Sequence, residues 1–104
     1  MRIDMVDTAL LSKFLKGVMK TGKVTIGARE NISSMKGNKA IVYTKSTPSQ
    51  LATRLVEEAK KYDVAIVEAN LSSAEFARMI GKPYRVSALG LRSISEADLK
   101  SLLR

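Results

Sequence analysis

Residues 24–31, VTIGAREN, set a cation, an anion and an amide directly after a short β-branched run closed by glycine. Arg29 carries five N–H donors that match phosphate oxygens or a guanine edge, Glu30 offers only acceptors and can take N–H groups from guanine, and Asn31 both gives and accepts. A helix that begins right after a strand aims unpaired backbone N–H groups past the sheet edge, and a glycine there lets another backbone come close. Together these groups can read bases as well as hold phosphate. Phosphate binding alone has no use for Glu30, the sole acid between residues 8 and 56. In the plainer alternative Gly27 serves only the turn, and Glu30 sits in a first helical turn and pairs with Arg29 or Lys23.

Catalytic chemistry finds little to work with. The chain has neither cysteine nor histidine, which removes disulfides, thiolate nucleophiles, Cys/His zinc sites and the usual general base near neutral pH. No serine has a histidine to activate it, the acids in 57–75 lack a metal-fixing spacing, and neither GxGxxG nor GxxxxGK[ST] occurs. The expectation is a non-enzyme with no catalytic residue, no cofactor and no metal. Aromatic residues are 5% of the chain, and only Tyr84 falls within the late basic block, which argues against a sheet that stacks several bases. Tyr84 itself is either a partly buried tyrosine or a single stacking surface.

The formal net charge of +8 is unevenly placed. Residues 13–45 hold eight Lys and Arg against Glu30 alone, and residues 78–92 hold four with no acid, whereas residues 46–77 lean acidic. Segregated cationic blocks favour a polyanion partner, nucleic acid first, if the fold unites them. No apolar run approaches the ~20 residues that span a bilayer. The start, MRIDMVDT, carries two acids where a secretory signal would be basic and then apolar. A soluble, cytoplasmic protein that does not use a membrane is expected.

The elements that must position these groups alternate. Residues 7–20 set Leu10, Leu11, Phe14, Leu15 and Val18 on one helical stripe, with Lys13, Lys16 and Lys20 opposite. Residues 24–26 read as a strand and 28–36 as a second helix. Residues 40–44, AIVYT, read as a strand buried on both faces. Thr47-Pro48-Ser49-Gln50 predicts a third helix with Thr47 as its cap, running to about Lys61. Residues 64–67 repeat the buried-strand pattern, Ser72 with Glu75 makes a capping box for a short fourth helix, and 86–91 form a last strand. Ser95 with Asp98 caps a final helix. The expected object is an α/β protein, a three-layer α/β/α sandwich on a four-stranded mixed sheet, forming a single domain over 1–104 with 93–104 as a C-terminal helical extension.

Three segments, TGKVTIGAREN, then STP before a helix, then IGKPYRVSALG before the last strand, resemble the archaeal and eukaryotic large-subunit ribosomal protein of the thirty-e family. That family lies in the kink-turn RNA-binding superfamily that includes the seven-Ae protein. The similarity spans roughly residues 8–92. It implies a sandwich whose strand-to-helix loops form one RNA-binding edge, with Gly27, Ala28, Arg29, Glu30 and Asn31 entering kinked RNA at sheared G·A pairs. It further implies a polar contact from Ser46, and an aromatic and an aliphatic contact from Tyr84 and Val86 flanked by Lys82 and Arg85; Lys23 joins them from the first basic block. The implied role is a structural, ribosomal RNA-binding component of the large subunit that stabilises a kink-turn, beside neighbouring ribosomal proteins and as a monomer outside the ribosome. A scaffold of guide-RNA particles or a multi-RNA regulator of the same fold would share the site, and a protein-interaction domain without RNA is the rival from another class.

Overall fold

The computed structural model describes residues 2–3, 8–21 and 23–92. They form β1 (Arg2–Ile3), α1 (Thr8–Thr21), β2 (Val24–Ile26), α2 (Ala28–Ser33), a 3-10 turn (Met35–Gly37), β3 (Ala40–Thr44), α3 (Ser49–Lys61), β4 (Ala65–Ala69), α4 (Ser73–Met79) and β5 (Ala88–Leu91). The strands make one sheet in the order β1-β4-β3-β5-β2. β3 and β4 are parallel, and β5 runs antiparallel between β3 and β2. The mixed sheet expected from the four strand patterns is present, and the two-residue β1 extends it in parallel beside β4. Two residues are too few to show a period, so β1 leaves no trace in the sequence pattern.

Alternation along buried strands sorts the side chains into two cores. From β3, Ala40 and Val42 join Leu15 of α1 and Phe76 of α4, whereas Ile41 and Tyr43 join Ile32 of α2 and Leu55 of α3. Helices therefore cover both faces, as the expected three layers require. Fully buried side chains such as Phe76, Leu15 and Leu55 each stabilise the fold by about 1.5–3 kcal/mol.

Local chemistry departs from the sequence pattern at two helices. The helix expected over 28–36 breaks at Ser34, whose hydroxyl and backbone N–H both donate to the Glu30 carbonyl, at 2.7 and 3.0 Å. The hydroxyl shares its acceptor with the last α-helical bond, and the chain then tightens into the 3-10 turn, where Gly37 N–H donates to the Ser34 carbonyl at 3.1 Å. The expected Thr47 cap of α3 is also replaced. Pro48 holds the cap position with no side-chain bond, because the Thr47 hydroxyl donates instead to the Ser87 carbonyl at 3.1 Å. The expected box on Ser72 and Glu75 forms: Glu75 N–H donates to Ser72 Oγ at 3.1 Å, and Ser72 N–H donates to Glu75 Oε1 at 2.9 Å. The final helix and the extension over 93–104 lie outside the described residues.

Strand direction decides what meets at the sheet ends. β2, β3 and β4 point one way and β5 the other, so the C-terminal ends of the first three and the start of β5 share one edge. Gly27, Ser46, Ser72 and the segment 84–87 all lie there.

Candidate nucleic-acid interface

The β2–α2 turn is fixed from three sides. Gly27 has φ 109° and ψ 142°, and its N–H donates to the Ala88 carbonyl at 2.9 Å, carrying the β2–β5 ladder one step past the strand. That φ is open to glycine and strained for other residues. A Cβ at Gly27 would also collide with the Glu30 carboxylate, which lies back over the glycine. Glycine thus supplies both the turn and the seat for Glu30.

Asn31 is completely buried. Its amide donates to the carbonyls of Thr25 at 2.9 Å and Gly27 at 2.7 Å, and its Oδ1 accepts from the Asn38 amide at 3.0 Å. The pair occupies the slot left by Gly90 of β5, where a Cβ would collide with Asn31 Oδ1 and stand 2.6 Å from Asn38 Oδ1. Asn31 therefore clamps β2, the turn and α2 from inside. The expectation that its amide meets RNA is corrected: both amide N–H groups are spent on interior carbonyls, and the side chain has no exposed surface.

Ser46 and its neighbours tie the next loop down. Ser46 Oγ accepts from the Ser73 N–H at 2.7 Å and lies 3.3 Å from Thr44 Oγ1, which is also 3.3 Å from Thr47 Oγ1. This hydroxyl chain links the β3–α3 loop to the start of α4. The Ser72 backbone N–H, then the Ser72 side chain, hold the Glu75 carboxyl below the ordinary value; desolvation opposes them, and Lys45 and Arg78 add attraction. Lys45 follows β3 directly, at the same end of the sheet.

One surface groove is lined by Gly27, Ala28, Arg29 and Glu30 from the turn, Leu51 from α3, and Tyr84, Arg85 and Ser87 from the segment before β5. Arg29, Glu30 and Arg85 are exposed, and Tyr84 is 52% exposed, which decides between its two readings in favour of the surface. A second depression shares Tyr84 and Arg85 and adds Lys82 and Arg78. The structure thus unites Gly27, Arg29, Glu30, Lys82, Tyr84 and Arg85, with Ser46 on the same edge. Ala28 (7% exposed) and Val86 (1%) also line this groove but are packed into the two cores, so Val86 has little aliphatic surface to offer for the expected contact. Lys23 is displaced altogether. It precedes β2, at the end of the strand opposite Gly27, about 13 Å away at ~3.3 Å per residue.

Sequence reasoning passed over Lys45, Leu51, Arg78 and Ser87. Lys45 and Arg78 belong to the two basic blocks, a signal that could have found them. Leu51 and Ser87 carry none, since only the packing of α3 against α2 and the path of the chain into β5 bring them to the groove. The dipole argument lapses, because α2 has six residues and less than two turns to align. Among the described residues no group of three or more carboxylates could hold a metal, and no helix is long and apolar enough to cross a membrane.

Comparison with known proteins finds relatives by sequence and by fold. No family model matches the chain. The large ribosomal subunit protein eL30 of Methanosphaerula palustris is 35% identical over 92 residues, which is 86% of this chain and 93% of that protein. The protein of the same name from Archaeoglobus fulgidus is 29% identical over 79 residues, 74% of this chain and 87% of that one. Among solved structures, the 15.5kD RNA binding protein of Giardia lamblia superposes with a TM-score of 0.76 at 12% identity, covering 94% of this chain and 85% of that one. A protein of unknown function from Bacillus halodurans superposes with a TM-score of 0.74 at 13% identity, covering 92% and 94%.

Proposed function

The chain belongs to the family of the large ribosomal subunit protein eL30, and we propose that it works as an RNA-binding structural component of the large ribosomal subunit, in the cytoplasm, through the groove between Gly27 and Tyr84. In this reading the ligand is a sharply bent internal loop of ribosomal RNA, a kink-turn. Arg29, Lys45, Lys82 and Arg85 face its crowded phosphates, while Glu30, seated over Gly27, accepts N–H groups from a base edge. Tyr84 offers a ring face to a base turned out of the stack. Bending RNA brings phosphates together at an electrostatic cost, and a preformed cationic edge lowers that cost on binding. No reaction is involved. The chain acts as a single domain, monomeric outside the ribosome and beside other ribosomal proteins within it.

The observation that carries this reading is the convergence of the β2–α2 turn and the segment before β5 on one groove, with cations from both basic blocks at its rim. Titration of a kinked internal-loop RNA and of a matched uninterrupted duplex, each at several salt concentrations, tests it. The kinked RNA should bind more tightly, with a log–log salt slope of about −3 to −5 if the rim cations each meet a phosphate. Equal affinity for the two RNAs, or a flat salt response, overturns it.

A further inference from the structure

The groove uses one edge of the sheet, and the opposite edge carries a second cluster of cations. Arg92 N–H donates to the Lys23 carbonyl at 3.1 Å, and Lys39 N–H donates to the Leu91 carbonyl at 2.7 Å, so three strand ends place Lys23, Arg92 and Lys39 side by side. The Arg92 guanidinium lies over Gly37, next to Lys36, and its Nη1 donates to Thr25 Oγ1 at 3.2 Å. All four cationic residues are exposed. No Asp or Glu occurs in 8–29 or 31–56, and Asp63, just ahead of β4, bounds the cluster on that side.

We infer that this opposite edge is a second, sequence-independent RNA contact, made to the phosphate backbone of a segment other than the one in the groove, so that the chain ties two RNA segments together. The inference rests on the proposed function for its choice of RNA among polyanions. Distance separates the two contacts. The length of β5 puts them about 13 Å apart at ~3.3 Å per residue, beyond the ~8 Å screening length at physiological ionic strength. A strand lying in the groove therefore does not reach Lys36, Lys39 and Arg92.

Chemistry selects phosphate over bases. The four segments present lysines and an arginine, with no aromatic residue and no carboxylate among them, and neighbouring strands ~5 Å apart place the charges at a spacing suited to successive phosphates. Arg92, held by Thr25 and Gly37, gives up little side-chain freedom on binding.

A bridging assay tests the inference. A minimal kinked hairpin RNA is immobilised and saturated with the full chain, and a labelled, uninterrupted RNA duplex is then offered. The protein should capture the duplex, and bare hairpin should not. The K36Q/K39Q double variant should fold with an unchanged melting curve, occupy the hairpin within twofold of the parent, capture about tenfold less duplex, and show a capture salt slope shallower by about two. No capture by the parent chain, or undiminished capture by the variant, overturns the inference. Equal capture of phosphatidylserine vesicles or of polyglutamate, lost in the same variant, overturns the assignment to RNA. A hairpin that fails to bind, with free duplex still held through Lys36 and Lys39, sinks the groove's role and leaves the second contact standing.

Discussion

Glu30 and Asn31 are adjacent in the chain and face opposite ways. Glu30→Ala should leave folding intact and weaken binding to kinked RNA about tenfold, since one base-edge contact discriminates by ~1–3 kcal/mol; affinity for plain duplex should hold or rise as a negative charge leaves the rim. Parallel titrations of both RNAs check this, and a gain for the kinked RNA would mean the carboxylate only repels phosphate. Asn31→Ala should instead act on stability. It strips the Thr25 and Gly27 carbonyls and the Asn38 amide of their partner in the interior, at a cost of about 2–4 kcal/mol, readable as a lower denaturant midpoint. The sequence shows an amide beside two charges and invites a ligand-facing reading for all three. What turns Asn31 inward is Gly90, nearly sixty residues later, whose missing side chain opens the slot.

Elements built from neighbouring residues were the most legible. Ser72 and Glu75 announce the start of α4 by themselves, and the apolar run 40–44 announces a strand buried on both faces. The Thr47 cap fails because the choice between the α3 N-terminus and the Ser87 carbonyl depends on where the chain enters β5, a tertiary fact. Ser72→Ala should cost about 1 kcal/mol by removing the α4 cap. The box also sets a pH dependence. Because the Glu75 carboxyl titrates lower in the folded chain than when unfolded, its contribution is fully present above the ordinary carboxylate value of 4.5 and is lost as pH falls through the folded value. Glu75→Gln should flatten this part of the acid limb in melts recorded from pH 6 to pH 3, and an unchanged limb would show that the box does not hold in solution.

At the scale of the whole molecule, the two basic blocks predicted a polyanion but not its address. Strand directions then divided the cations between two ends of the sheet, taking Lys23 from the groove and setting Lys45, just past β3, at the groove's end, while Arg78 lines the depression beside it. Arg29→Gln with Arg85→Gln should reduce kinked-RNA affinity at least tenfold and make the salt slope shallower by about two, whereas Lys60→Ala, on α3 in the acidic stretch, should change binding by less than twofold. The most direct measurement is amide-by-amide NMR titration of the chain with a minimal kinked hairpin RNA. The account predicts that the largest shifts fall on residues 27–30, 45–46 and 84–87, with residues 60–63 unmoved. Shifts concentrated on α3 and the start of β4, with 27–30 and 84–87 silent, would contradict it.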